Sequence, residues 1–229
     1  MRYSKYAVVV LNGILPSVTL VNKLCASAHL VVCADGAANC LVTKGIKPDV
    51  IIGDLDSLSD HTRSICASDT KIIKNPCQYS TDFEKTLDYL KGSGLTDVII
   101  IGISGGRFDH AATNLGVVHK YAHIFSLWLA HDEGFGCFLC ATNDVEVVCS
   151  LDEIPVGTTV SLLSFSSALN ISTQGLKYPL FKESLVWGSR DGQSNFIITQ
   201  PAFLTFNCGS MLVYVVGIEI TTRFRAECN

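Results

Sequence analysis

The chain has 229 residues, of which 48% are hydrophobic and 17% charged, and its formal net charge is −4. That length buries a sizeable core without disulfide staples, and the apolar content excludes intrinsic disorder. The acidic balance, with no basic run, excludes a protein that grips nucleic acid by neutralising its phosphates.

Residues 7–11 form a short apolar run, residues 17–26 follow with helical spacing, and residues 30–33 are apolar again before Asp35-Gly36. Arg2 and Lys5 ahead of the first run, with Ala26-Ser27-Ala28 behind it, imitate a signal peptide. Asn12, Gly13 and Pro16 break that pattern, so the expectation is a first strand and helix in a cytoplasmic protein. Residues 50–52 precede Asp54, residues 72–73 make a short strand, and residues 81–90 carry Phe83, Leu87 and Leu90 at helical spacing behind a Thr81 cap. Residues 98–101 are fully apolar, and residues 109–121 follow as a helix. Strands apolar on both faces, alternating with helices, predict an open parallel sheet flanked by helices.

From about residue 135 the pattern changes to short strand candidates at 137–140, 145–149, 159–165, 185–187, 196–199 and 211–220, separated by Gly, Pro, Asn and Ser. This predicts an all-β sandwich and places the domain boundary between residues 132 and 133. The apolar stretch 203–220 is interrupted by Thr205, Asn207, Ser210 and Glu219, which favours paired strands over a membrane-spanning helix. Cys33, Cys137, Cys140, Cys149 and Cys208, five of the ten cysteines, read as small buried hydrophobes. The Cys137-Phe-Leu-Cys140 spacing has no second pair to complete a zinc site.

The polar residues that follow the apolar strands are delivered to one rim of the sheet, where open parallel sheets bind ligands. If the chain stays extended past residue 52, Asp54 and Asp56 point the same way and form a hard oxygen site suited to Mg2+; the alternative makes Asp56 and Ser57 a helix cap. Gly105-Gly106-Arg107 opens the next helix as a phosphate cradle, with two glycines for close backbone approach and a forked guanidinium; the plainer alternative makes Asp109 an N-cap. Thr81 and Glu84 have the spacing of a capping box, which leaves Asp82 free to add a third carboxylate.

Four motifs in order, Asp35-Gly36-Ala37-Ala38-Asn39, Gly53-Asp54-Leu55-Asp56-Ser57, Gln78-x2-Thr81-Asp82-x2-Lys85 and Gly105-Gly106-Arg107-x-Asp109-His110-x3-Asn114, resemble those of the thiamine pyrophosphokinase family. Weaker similarity continues through Gln174–Tyr178 and Ser194-Asn195. The resemblance implies transfer of a diphosphate from ATP to thiamine, with AMP as the other product, by a homodimer of α/β and β-sandwich domains. It implies that Asp54, Asp56 and Asp82 hold Mg2+ and, with Arg107, form the catalytic set. Asp35, Asn39, Arg107, Asp109 and His110 fall to the nucleotide, and Gln78, Ser194 and Asn195 to thiamine, the last two from the partner subunit. Two departures stand out: Cys77 where an Asp often precedes the glutamine, and Phe196-Ile197-Ile198 where an aromatic ring can stack on thiamine. The rival reading is a haloacid-dehalogenase-type phosphatase with Asp54 as nucleophile, which leaves the motifs at Gln78 and Gly105 unexplained.

Overall fold

The computed structural model describes residues 5–141, 145–220 and 226–228, so Arg2 lies outside the described residues. The chain divides into two compact units, Met1–His131 and Asp132–Asn229.

The first unit alternates strand and helix: β1 (Tyr6–Val10), α1 (Val18–Ser27), β2 (Leu30–Ala34), α2 (Ala37–Thr43), β3 (Val50–Gly53), α3 (Asp60–Cys66), β4 (Lys71–Lys74), α4 (Asp82–Leu90), β5 (Asp97–Ile101), α5 (Phe108–Tyr121) and β6 (Ser126–His131). All strand pairings are parallel, in the order β4-β3-β2-β1-β5-β6. Val8, Val9 and Val10 of β1 and Ile100 and Ile101 of β5 have no solvent exposure, as central strands covered on both faces require. From β1 the chain runs outward to β4 and then crosses back to β5, so the strand order reverses between β1 and β5. The loops after these two strands are tied together, Gly13 N–H donating to Gly102 O at 2.9 Å and Ile14 N–H to Ser104 O at 2.8 Å. Gly13 permits this approach, because a Cβ there would lie 2.2 Å from Ser104 O.

The helices begin where their caps dictate. Thr81 and Glu84 form the expected reciprocal capping box at α4. At α3 the cap is Ser59, which accepts from Thr62 N–H, and the Asp56-Ser57 cap is not formed. Nor is Asp109 an N-cap: Arg107 holds that position at α5 and supplies no side-chain cap bond. The seven-residue helices α2 and α3 and the strand β6 add to the elements expected from sequence.

The second unit is all-β and antiparallel: β7 (Gly134–Ala141), β8 (Val147–Ser150), β9 (Thr159–Leu163), β10 (Ser167–Gln174), β11 (Glu183–Val186), β12 (Gly192–Phe196), β13 (Phe203–Phe206), β14 (Cys208–Val216) and β15 (Ala226–Cys228). One sheet runs β7-β14-β9-β12, with β10 and β11 joined to it through β14. The other pairs β10-β13-β8-β15. Phe135, Leu151, Leu162, Ile171 and Phe206 are fully buried in this unit. Strand β10 escapes a period-two reading because a register shift between Ala168 and Ile171, with Asn170 at φ 55°, breaks the alternation. The strand expected at 196–199 lies earlier, at β12. Cys33, Cys137 and Cys149 are buried as expected, whereas Cys140 and Cys208 are half-buried. Among the described residues no helix is long and apolar enough to cross a membrane.

Candidate active site

Strands β2 and β3 end side by side, and each is followed by an aspartate. Gly53 lets the two ends close up, since a Cβ there would stand 2.5 Å from Asp35 Cβ. Asp35 and Asp54 meet Asp82, the first residue of α4, and the three carboxylates offer oxygens within 4.8 Å of one another. Asp35 is 3% exposed; its Oδ2 accepts from Ser57 N–H at 3.2 Å, while its buried Oδ1 has no partner. Burial pushes the Asp35 carboxyl up to about 6, the Ser57 N–H opposes the rise, and the charges of Asp82, Asp54 and Asp56 add to it. Asp54 is held below the ordinary carboxylate value, first by Asp56 N–H on Oδ1 and then by Gln78 Nε2 on Oδ2, each at 3.3 Å.

This grouping brings Asp35 to the expected carboxylates. Leu55 adopts φ 67°, so the chain turns after Asp54 instead of staying extended. Asp56 is exposed and accepts from Ser57 Oγ at 2.9 Å while its side chain stays beside the Asp54 carboxyl, and Asp35 joins Asp54 and Asp82 from the other side. Three hard oxygen donors, one with an orphaned buried atom, fit a small divalent cation.

Lys85 completes this corner. Its side chain is 4% exposed and its Nζ donates to Asp82 Oδ1 at 2.8 Å. Sequence reasoning quoted it within a motif but gave it no role, although a lysine amid Phe83, Thr86, Leu87 and Leu90 on the inward face of α4 is a detectable anomaly. Gln78 joins the site through Asp54. Asn39 does not reach into it: its Nδ2 donates to Ser57 O at 2.8 Å and its Oδ1 accepts from Ser59 N–H at 3.1 Å, so it clamps the loop that follows Asp54.

Further along the same rim, Gly105 at φ 86° and Gly106 at φ 69° form the loop between β5 and α5. The Ile14 side chain occupies the space of a Gly105 Cβ, with Cγ1 2.5 Å from it. The N-cap residue of α5 makes no side-chain bond to the first turn, and the start of a helix carries the partial positive charge that suits an anion. The Arg107 guanidinium forms a forked pair with Asp109, Nε to Oδ1 at 3.1 Å and Nη2 to Oδ2 at 2.5 Å, and holds that carboxyl down at about 2. Both side chains are exposed, as is His110. Asn114 reaches back to Ile103 O and fixes the helix to the loop.

In the second unit Ser194 is exposed with φ 57°, and its N–H donates to Ser161 Oγ at 3.0 Å. Asn195 is buried. Its Oδ1 accepts from Tyr178 N–H at 3.0 Å and Phe196 N–H at 2.9 Å, and its Nδ2 donates to Tyr178 O at 2.8 Å. Asn195 thus clamps β12 to the segment at Tyr178. A shallow pocket beside it is lined by Tyr178, Arg190, Asp191, Gly192, Gln193 and Asn195.

Two family models match the chain: the thiamin pyrophosphokinase catalytic domain over residues 21–129, and the thiamin pyrophosphokinase vitamin B1 binding domain over residues 146–212. Thiamine pyrophosphokinase 2 of Arabidopsis thaliana is 29% identical over 251 aligned positions, covering 95% of this chain and 88% of that protein. Among solved structures, the thiamin pyrophosphokinase of Candida albicans superposes with a TM-score of 0.76 at 20% identity, covering 93% of this chain and 89% of its own. The thiamine pyrophosphokinase of Bacillus subtilis gives 0.75 at 23% identity, covering 93% and 99%.

Proposed function

The chain belongs to the thiamin pyrophosphokinase family, and from that premise we propose that it transfers a diphosphate from ATP to the hydroxyl of thiamine, forming thiamine diphosphate and AMP. The observation that carries this reading at the site is the convergence of Asp35, Asp54 and Asp82, with an unsatisfied buried oxygen, on the rim that also bears the Gly105-Gly106-Arg107 loop. The comparisons give the phosphatase alternative no support, and both Asp54 oxygens already accept hydrogen bonds.

The reaction forms a bond from the thiamine hydroxyl oxygen to the β-phosphorus and breaks the bond from that phosphorus to the oxygen retained by AMP. Such a transfer depends on positioning and charge neutralisation more than on a covalent nucleophile. Asp35, Asp54 and Asp82 would hold Mg2+, with exposed Asp56 in reach of its hydration shell. Bound there, Mg2+ would supply positive charge against the ATP phosphates. The N–H groups of Gly106 and the first turn of α5 meet phosphate oxygens, and Arg107 exchanges its bond to Asp109 for a forked bond to phosphate. Asp109 and His110 flank the nucleotide. Gln78, bonded to Asp54, orients thiamine beside the acidic group. Asn39 and Asn195 act indirectly, by fixing the loops after β3 and at Tyr178.

We further propose a cytoplasmic homodimer in which Ser194 of one chain serves the site of the other. Sedimentation should give twice the mass of the chain; a monomer that remains active excludes the composite site. For the reaction itself, the purified chain incubated with ATP, Mg2+ and thiamine should yield AMP and thiamine diphosphate in equal amounts. Release of orthophosphate without thiamine diphosphate would overturn the reading.

A further inference from the structure

Lys85 presents an ammonium with three donors, buried on the inward face of α4, and its one hydrogen-bond partner among the described residues is Asp82 Oδ1. An ammonium withdrawn from water needs a negative partner. The helix gives it no freedom to retreat: the Thr81–Glu84 capping box fixes the first turn, and Lys120 Nζ holds Glu84 Oε1 at 2.7 Å from α5. Asp54 also feels the Lys85 charge. Three carboxylates within 4.8 Å thus have one buried cation of the protein's own behind them, while the Asp35 Oδ1 in the same group has no partner.

We propose that Lys85 is the resident counter-ion of this acidic group, a positioning residue that offsets one of the three carboxylates and holds Asp82 by a single oxygen. The group then attracts a bare divalent cation weakly and takes it up together with nucleotide phosphates, whose negative charge the ammonium favours. The second half of this statement rests on the ATP reading above; the first half does not. Even at the dielectric of bulk water, a unit charge about 6 Å from a divalent ion changes its affinity about tenfold, and a partly buried site raises that figure.

The test is Mn2+ binding to the nucleotide-free chain at pH 8, read from the electron paramagnetic resonance signal of free Mn2+. Lys85→Met keeps the length and packing of the side chain without its charge and should bind Mn2+ about tenfold more tightly than the natural chain. Lys85→Gln, which retains a donor toward Asp82 but no charge, carries the same expectation, and Lys85→Arg should stay near the natural affinity. Circular dichroism establishes which variants are folded. Unchanged or weaker Mn2+ binding in a folded neutral variant overturns the proposal. Failure of the natural chain to form thiamine diphosphate would overturn the ATP reading and leave the Mn2+ ratio to decide the role of Lys85.

Discussion

Asp35→Asn isolates the charge that the fold tolerates least. The natural carboxyl sits at about 6 against an ordinary 3.8, chiefly because it is buried, so the folded chain binds its proton more tightly than the unfolded chain does. Below about pH 3 both states are protonated and Asp35 costs nothing. As pH rises toward and past 6, the unfolded state ionises first and stability falls. The gap between the two values corresponds to about 3 kcal/mol at neutral pH, and solvent screening at the open rim reduces this to about 1–2 kcal/mol. Asparagine is nearly isosteric. Its oxygen can keep the bond from Ser57 N–H, and its amide would donate toward Asp54 or Asp82 where Oδ1 now has no partner. In EDTA at pH 8, Asp35→Asn should therefore melt about 2–8 °C higher than the natural chain, and the gain should shrink to about a third at pH 4.5. Scanning calorimetry at the two pH values measures it. A variant that is equally destabilised at both would show that the carboxyl is not raised and that its unpaired oxygen carries no penalty.

Three further substitutions probe the remaining parts of the site. Gly105→Ala forces a side chain onto φ 86° and into Ile14, so unfolding titrations should show a loss of about 1–2 kcal/mol, together with a higher KM for ATP. Arg107→Lys removes a forked donor from an exposed position and should raise the KM for ATP about tenfold with the melting temperature unchanged; equal kinetics would take the arginine out of the phosphate site. Asn195→Ala leaves Tyr178 N–H, Phe196 N–H and Tyr178 O without their partner, and denaturant unfolding should register a loss of about 2–3 kcal/mol, whereas a purely ligand-directed asparagine would leave stability intact.

The parallel sheet was legible because its strands are apolar on both faces and each is punctuated by a polar residue at the rim. The carboxylates were legible one by one, but their grouping was not. That Asp35 joins Asp54 depends on the turn at Leu55, a residue whose type favours no such turn. The loop bonds of Asn39 and Asn195 were not legible, because an amide suits both a ligand and a loop and the sequence does not show which backbone groups lie beside it. Strand β10 was hidden by its register shift, and β6 by its position at the junction of two patterns.

The bonds that tie the loop after β1 to the loop after β5 have a consequence for assembly. Strand β1 can pair with β2 through a connection of about twenty residues, yet its other edge waits for β5, some ninety residues later in the chain. The acidic group needs only β2, β3 and the start of α4, whereas the glycine loop has no foundation until Ile14 meets Gly105 across that long closure. During synthesis, metal-binding competence should therefore precede nucleotide-binding competence. In pulse-labelled refolding, the amides of Gly13 and Ile14 should gain protection with those of β5 and later than those of β2; simultaneous protection would show that the sheet closes in one step.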